Sequence, residues 1–185
     1  MFSFPLFLLT IVMQVSYAFD MVIFDASTLI LLARCGLLET FVSHTKRRIV
    51  IPCAVRNETL QKGKAETPFI ERLLEQRLID TEQVSDDAAV IKLMHDFAID
   101  RGETEAIFLA YASGCSIVAT DDRNAIKACR MLKLGYITAL SIVISFCEHG
   151  ILSLPEALLK LEELQRIGRY SKRIMEDAVA TLKGV

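Results

Sequence analysis

From Met21 onward the chain alternates short apolar runs with longer stretches whose apolar residues recur every three or four positions. "MVIF" (21–24) is apolar throughout, the pattern of a strand buried on both faces of a parallel sheet. Asp25-Ala-Ser27 then turns into a helix, with Ser27 the expected N-cap ahead of Leu29, Ile30, Leu32 and Ala33. Gly36 breaks that helix, and a second short one follows through Phe41. "RIVIP" (48–52) predicts a second strand closed by Pro52, and 53–62 and 66–77 read as helices. "RLID" (77–80) predicts a third, weaker strand, and 86–98 repeats apolar residues at helical spacing. Gly102 precedes a helix expected over about 103–113, which Gly114 ends as a C′ glycine does. "SIVAT" (116–120) predicts the fourth strand, a helix over 122–133 runs to Gly135, and "YIT" (136–138) the fifth strand. Helices over 139–148, 154–166 and 171–182 complete the pattern. Strands alternating with helices, without hairpin signals, predict an α/β fold: a three-layer sandwich whose parallel sheet has about five strands and helices on both faces.

Composition narrows the classes. A chain of 185 residues with 52% hydrophobic and 24% charged residues builds one packed domain and is not disordered. A net charge of −2 offers no global attraction for nucleic acid, so any such contact needs a local basic patch or metal ions. The five cysteines are an odd number with no CxxC pair, which reads as small hydrophobes in a reducing compartment. His44, His95 and His149 fall near expected helix ends with no second ligand beside them.

Residues 1–20 stand apart from the domain expected over 21–185, because no charge occurs before Asp20. Three readings fit: a leader or membrane anchor, a translation start placed before a true start at Met21, or an extra packed helix. A secretory leader lacks its positive n-region here, since the first basic residue is Arg34. Membrane association is expected only if residues 1–19 are retained as an anchor.

The candidate chemistry lies in carboxylates. In a parallel sheet all strand C-termini share one edge, where open α/β folds bind ligands. Asp25 ends the first expected strand, and Asp121 and Asp122 end the fourth. Glu103 and Glu105 open the helix that feeds the fourth strand, so its start lies over that same edge. Each acid alone could cap a helix or oppose a helix dipole. Capping does not explain why so many positions on one edge are acidic. Clustered carboxylates repel unless a cation sits among them, and oxygen-only ligation points to Mg²⁺ or Mn²⁺. Such ions on carboxylates are the usual apparatus of phosphodiester hydrolysis.

"VIFDAST", "IVIPCAVRNETL", "RGETEAIFLAYASGCSIVATDD" and "GRYSKRIMEDAVATL", in that order, resemble the PIN-domain family, particularly members related to VapC toxins. The resemblance runs over 21–185 and implies a metal-dependent endoribonuclease whose site is a ring of acids. Residue by residue, it carries the family's acids onto Asp25, Glu58 in "AVRNE", Glu105 with Glu103 as neighbour, and Asp121 with Asp122 beside it. Asp25, Glu105 and Asp121 are the expected catalytic residues, and all six acids the expected metal ligands. Ser27 is a further candidate beside the first Asp, for contact with RNA. Arg123, Lys127 and Arg130 form one helical stripe next to Asp121, either a solvated face or a track for RNA phosphates. Lys46-Arg47-Arg48 precedes a strand and belongs on the opposite edge.

The expected partners are an RNA substrate, a small antitoxin protein and a second copy in a homodimer, in the cytoplasm. Rival readings are a degenerate PIN scaffold that only binds a partner, and a phosphatase of haloacid-dehalogenase type. The latter chemistry needs a second Asp two residues after the first, where Ser27 stands. A phosphoacceptor receiver domain needs its acid pair after the first strand, whereas this pair follows a late one.

Overall fold

Five short strands, the three central ones mainly apolar, form one parallel sheet in the order β3-β2-β1-β4-β5. They are β1 (Met21–Phe24), β2 (Arg48–Pro52), β3 (Asp80–Glu82), β4 (Ser116–Ala119) and β5 (Gly135–Ile137). The computed structural model describes residues 21–114 and 116–184. The expectations for residues 1–20 therefore lie outside the described residues.

Alternate side chains on a strand point to opposite faces, so each central strand feeds two cores. Val22, Phe24, Ile49, Ile51, Ile117 and Ala119 face one core. It is closed by α1 (Ala26–Arg34), α2 (Leu38–His44), α3 (Cys53–Thr59), α4 (Thr67–Glu75), α8 (Ala139–Glu148), α9 (Leu154–Ile167) and α10 (Lys172–Lys183). Ile23, Val50 and Val118 face the other core, against α6 (Arg101–Ser113) and α7 (Arg123–Met131), with Phe97 at the end of α5 (Asp87–Phe97) beside them. The result is the expected three-layer α/β sandwich. Among the described residues no single helix is long and apolar enough to cross a membrane.

The strand order places a switch point between β1 and β4. The chain winds outward from β1 through β2 to β3, then returns to the far side of β1 to lay down β4 and β5. The C-terminal ends of β1 and β4 are adjacent, with Phe24 opposite Ala119 and the Asp25 N–H donating to the Ala119 carbonyl at 3.0 Å. Helices leaving these two strands diverge to opposite faces, which opens a crevice there.

Three local expectations are corrected. The N-cap of α1 is Asp25, not Ser27, because the Asp25 carboxylate accepts the Thr28 N–H at 2.7 Å. The third strand begins at Asp80 rather than running over 77–80. Arg77 takes a left-handed turn (φ 57°) to close α4, and Leu78 is left exposed. An edge strand tolerates the polar sequence that results, and Arg48 pairs with both Asp80 and Glu82 across it. Finally, α6 starts at Arg101 and not after Gly102, since Asp100 and Glu103 form a reciprocal capping box. Gly102 lies inside that first turn because a Cβ there would sit 3.2 Å from Val55 and 3.4 Å from Glu58 on α3.

Ala98, the C-cap of α5, sits in the left-handed region at φ 52° and ψ 53°. An alanine there carries a steric cost that glycine lacks. Ala98→Gly should therefore stabilise the protein by about 0.5–1 kcal/mol in a denaturant melt. A destabilised variant would contradict this backbone account.

Candidate active site

Acids line the C-terminal edge of the sheet, and each is placed by the turn that follows its strand. Asp25 is fully buried at the end of β1. Its carboxylate accepts the Thr28 N–H and the Ser27 hydroxyl, the latter at 3.0 Å from each oxygen, and Thr120 supplies a further hydroxyl. Burial pushes its pKa up to about 6 against these donors, and the charge of Asp121 adds to the rise.

Asp121 follows β4 and turns toward the α1 and α8 side. One oxygen accepts from the Thr28 hydroxyl at 2.9 Å and from the Ala139 N–H, at the start of α8, at 2.9 Å. The other accepts from the Tyr170 hydroxyl at 2.8 Å. Burial raises its pKa, while these three donors oppose the rise.

Asp122 and Glu103 lie on the α6 and α7 side. Asp122 is the N-cap of α7, accepting from the N–H groups of Asn124 at 2.7 Å and Ala125 at 2.8 Å. Glu103, at the third position of α6, accepts the Asp100 N–H at 3.0 Å. Its pKa rises to about 7, chiefly through burial and further through the charges of Asp122, Asp25 and Asp100. Asp25, Glu103 and Asp122 thus form one electrostatically coupled set across the switch point.

Glu105 takes a different direction. Two positions along a helix differ by about 200°, so adjacent-but-one acids face apart. The Glu105 carboxylate is buried against the start of α3, accepting the Ala54 N–H at 3.3 Å and the Arg101 Nε–H at 2.7 Å. Arg101 also pairs with Asp87 at the start of α5. Glu105 is therefore ion-paired within the fold, whereas among the described residues no salt bridge reaches Glu103. Glu58 lies on the exposed side of α3 near Gly102, its pKa raised by partial burial and by the charge of Asp100.

The basic stripe is only partly free. Arg123 and Lys127 are exposed on α7, but Arg130 lies over the Tyr136 ring, 5.5 Å from its centroid, and donates to the Tyr136 hydroxyl. Ser27 is exposed at the rim. Arg48 sits at the start of β2, on the edge opposite the acids. His44 and His149 each contact a carbonyl of their own helix, and His95 lies beside Asp96.

The chemistry of this donor set fits a hard divalent cation. It is carboxylate oxygen without nitrogen or sulfur ligands, and burial, with neighbouring negative charge adding to it, holds two of its members above the usual range. Among the described residues, no three His, Cys, Asp or Glu side chains stand together as a preformed ion cage.

Several participants were not anticipated from sequence. The Asp100-x-x-Glu103 capping box is a readable signature. Thr28 and Thr120, flanking the acids in "DAST" and "ATDD", and Arg101, four residues before Glu105, also carry local signals. Tyr170 has none, since its role depends on how the C-terminal helices dock.

The raised carboxyls make stability depend on pH. A carboxyl whose pKa is about 6 or 7 when folded, against about 4 when unfolded, holds its proton more tightly in the folded state. The contribution is most favourable below about pH 4 and is lost as pH rises through about 6 and 7. The metal-free protein should melt lower at pH 7.5 than at pH 5, roughly spanning that window. Glu103→Gln, which can keep the capping hydrogen bond, should flatten the profile. An unchanged profile in that variant would remove Glu103 from the coupled set.

Comparison with known proteins bears on the fold and the family. No curated protein and no solved structure matches the chain. A family model described as a PIN domain matches residues 21–183, spanning every strand and helix described above. PIN domains are generally nucleases that use divalent metal ions. The chain belongs to the PIN-domain family.

Proposed function

We propose that this chain is a Mg²⁺- or Mn²⁺-dependent endoribonuclease, and that it acts as the toxin of a toxin–antitoxin pair in the cytoplasm. The observation that carries the metal reading is the convergence of acids at the switch point of the sheet, where the charges of Asp25 and Asp122 both act on the half-buried Glu103 carboxyl. Folding has buried like charges there with too little opposing charge, which a bound cation would relieve. Asp25, Glu103 and Asp122 would hold such an ion, with Asp121, Glu105 and Glu58 flanking them. An ion held there would supply a water of lowered pKa and charge to polarise a phosphate.

The chain's own groups supply position and charge. Asp25 cannot swing, because α1 begins on its carboxylate. Near neutral pH part of the Glu103 population carries a proton on its carboxylate, so cation binding must release it and tightens as pH rises. Exposed Arg123 and Lys127 begin the helix that leaves Asp122, within reach of a phosphate chain entering the crevice. RNA as substrate, a small antitoxin as inhibitor and a homodimer as the working form extend this reading from the family resemblance.

Asp25→Asn and Asp122→Asn keep shape, and Asn caps helices about as well as Asp. Each should lower Mn²⁺-dependent RNA cleavage by at least about 100-fold and remove most of the thermal stabilisation that Mn²⁺ gives the parent. A parent indifferent to Mn²⁺ and Mg²⁺, and inactive on RNA with either, would overturn the reading.

Reversing charge on α7, with Arg123→Glu and Lys127→Glu together, should weaken RNA binding and lower the salt slope by about 2. Surface changes of this kind cost roughly 0.5 kcal/mol or less, so melting should not move. An unaltered salt slope would return the stripe to a solvated face.

A further inference from the structure

The Asp121 carboxylate is held from three separate segments. Thr28 belongs to α1 and Ala139 opens α8; both helices are fixed to the sheet through the main core. The third donor is Tyr170, 49 residues further along, in the connection between α9 and α10. The two oxygens are not equivalent. Oδ2 has both Thr28 and Ala139, whereas the donor to Oδ1 is Tyr170.

Gly168 supplies a second, independent observation. Its backbone, at φ −94° and ψ 167°, is one that any residue adopts, so glycine is not required for conformation. It is required for room. A Cβ at this position would lie 2.9 Å from the Leu164 carbonyl oxygen, and the Tyr170 ring would stand 2.4 Å from it at Cε2 and 2.9 Å at Cδ2. The space left by Gly168 is therefore what lets the Tyr170 ring fold back toward the sheet edge. Burial and the adjacent Asp121 charge both push the phenol above its usual range, so its hydroxyl keeps the proton it donates.

We infer that the Gly168–Tyr170 connection is part of the active site and that Tyr170 is a positioning residue, fixing the rotation of the Asp121 carboxylate beside Asp25. The inference rests on the nuclease reading above. It makes the C-terminal helix pair a working element of the site and not only a cover for the core. Tyr170 also packs against that core, and a purely packing role is the competing account.

Tyr170→Phe separates the two, because it keeps the ring and removes only the donor. In the full-length chain, a positioning role predicts a roughly 10–100-fold fall in kcat for Mn²⁺-dependent cleavage of a single-stranded RNA, with KM within about twofold. The Mn²⁺ concentration giving half-maximal thermal stabilisation should rise several-fold. Gly168→Ala should reproduce the loss; in a Tyr170→Ala background it should take nothing further from kcat, since the ring it displaces is gone, and the remaining 2.9 Å contact with the Leu164 carbonyl should show only as lower stability. A parent that cleaves RNA alongside a Tyr170→Phe variant that cleaves equally fast, with the same Mn²⁺ midpoint, overturns the positioning role alone. A parent without Mn²⁺ response or cleavage overturns the nuclease reading and this inference with it.

Discussion

Thr28 donates twice, and the site depends on it. Its backbone N–H goes to Asp25 and its hydroxyl to Asp121. Two carboxylates that repel are thereby held on adjacent strand ends by one residue in the first turn of α1. The turn satisfies an orphan N–H of the helix and fixes the first acid in one interaction. The hydroxyl then extends the same constraint across the switch point to β4. Buried acids of this kind persist in a fold only where donors meet their oxygens, and here every oxygen of the pair has at least one.

The two sides of the crevice are compensated differently. On the α1 and α8 side, hydroxyls and helix N–H groups stabilise Asp25 and Asp121. Toward α3 and α5, Arg101 supplies a full positive charge to Glu105 and Asp87. On the α6 and α7 side no salt bridge reaches Glu103 among the described residues, and the charges that act on its carboxyl are those of Asp122, Asp25 and Asp100. The deficit of positive charge therefore lies between Glu103, Asp122 and Asp25, which is where the nuclease reading puts the ion.

Much of this was legible in the sequence, for an identifiable reason. Strand-end acids in a parallel sheet must share an edge, so Asp25 and the Asp121–Asp122 pair could be brought together from the alternation of strands and helices alone. Glu103 and Glu105 could not be told apart in the same way. Which one faces the crevice depends on the rotational phase of α6, set by the Asp100 cap and by the close approach of Gly102 to α3. The third strand lies later than the pattern predicts because an apolar pair, Leu78-Ile79, is more strand-like than the polar Asp80-Thr81-Glu82 that pairs with β2. Ser27 has the residue type of a cap, but Asp25, two residues earlier, has the better acceptor. Tyr170 was out of reach of any local pattern, since it meets Asp121 only through the docking of two distant helices.

A divalent cation belongs at the switch point, where the charges of Asp25 and Asp122 both act on Glu103. Anomalous diffraction from crystals grown with Mn²⁺ tests it most directly, because the signal reports the ion's position independently of activity. A Mn²⁺ peak bonded to carboxylate oxygens of Asp25, Glu103 or Asp122 at about 2.0–2.3 Å is the expected result. Saturating Mn²⁺ with no peak in the crevice, or a peak only elsewhere on the surface, would contradict it.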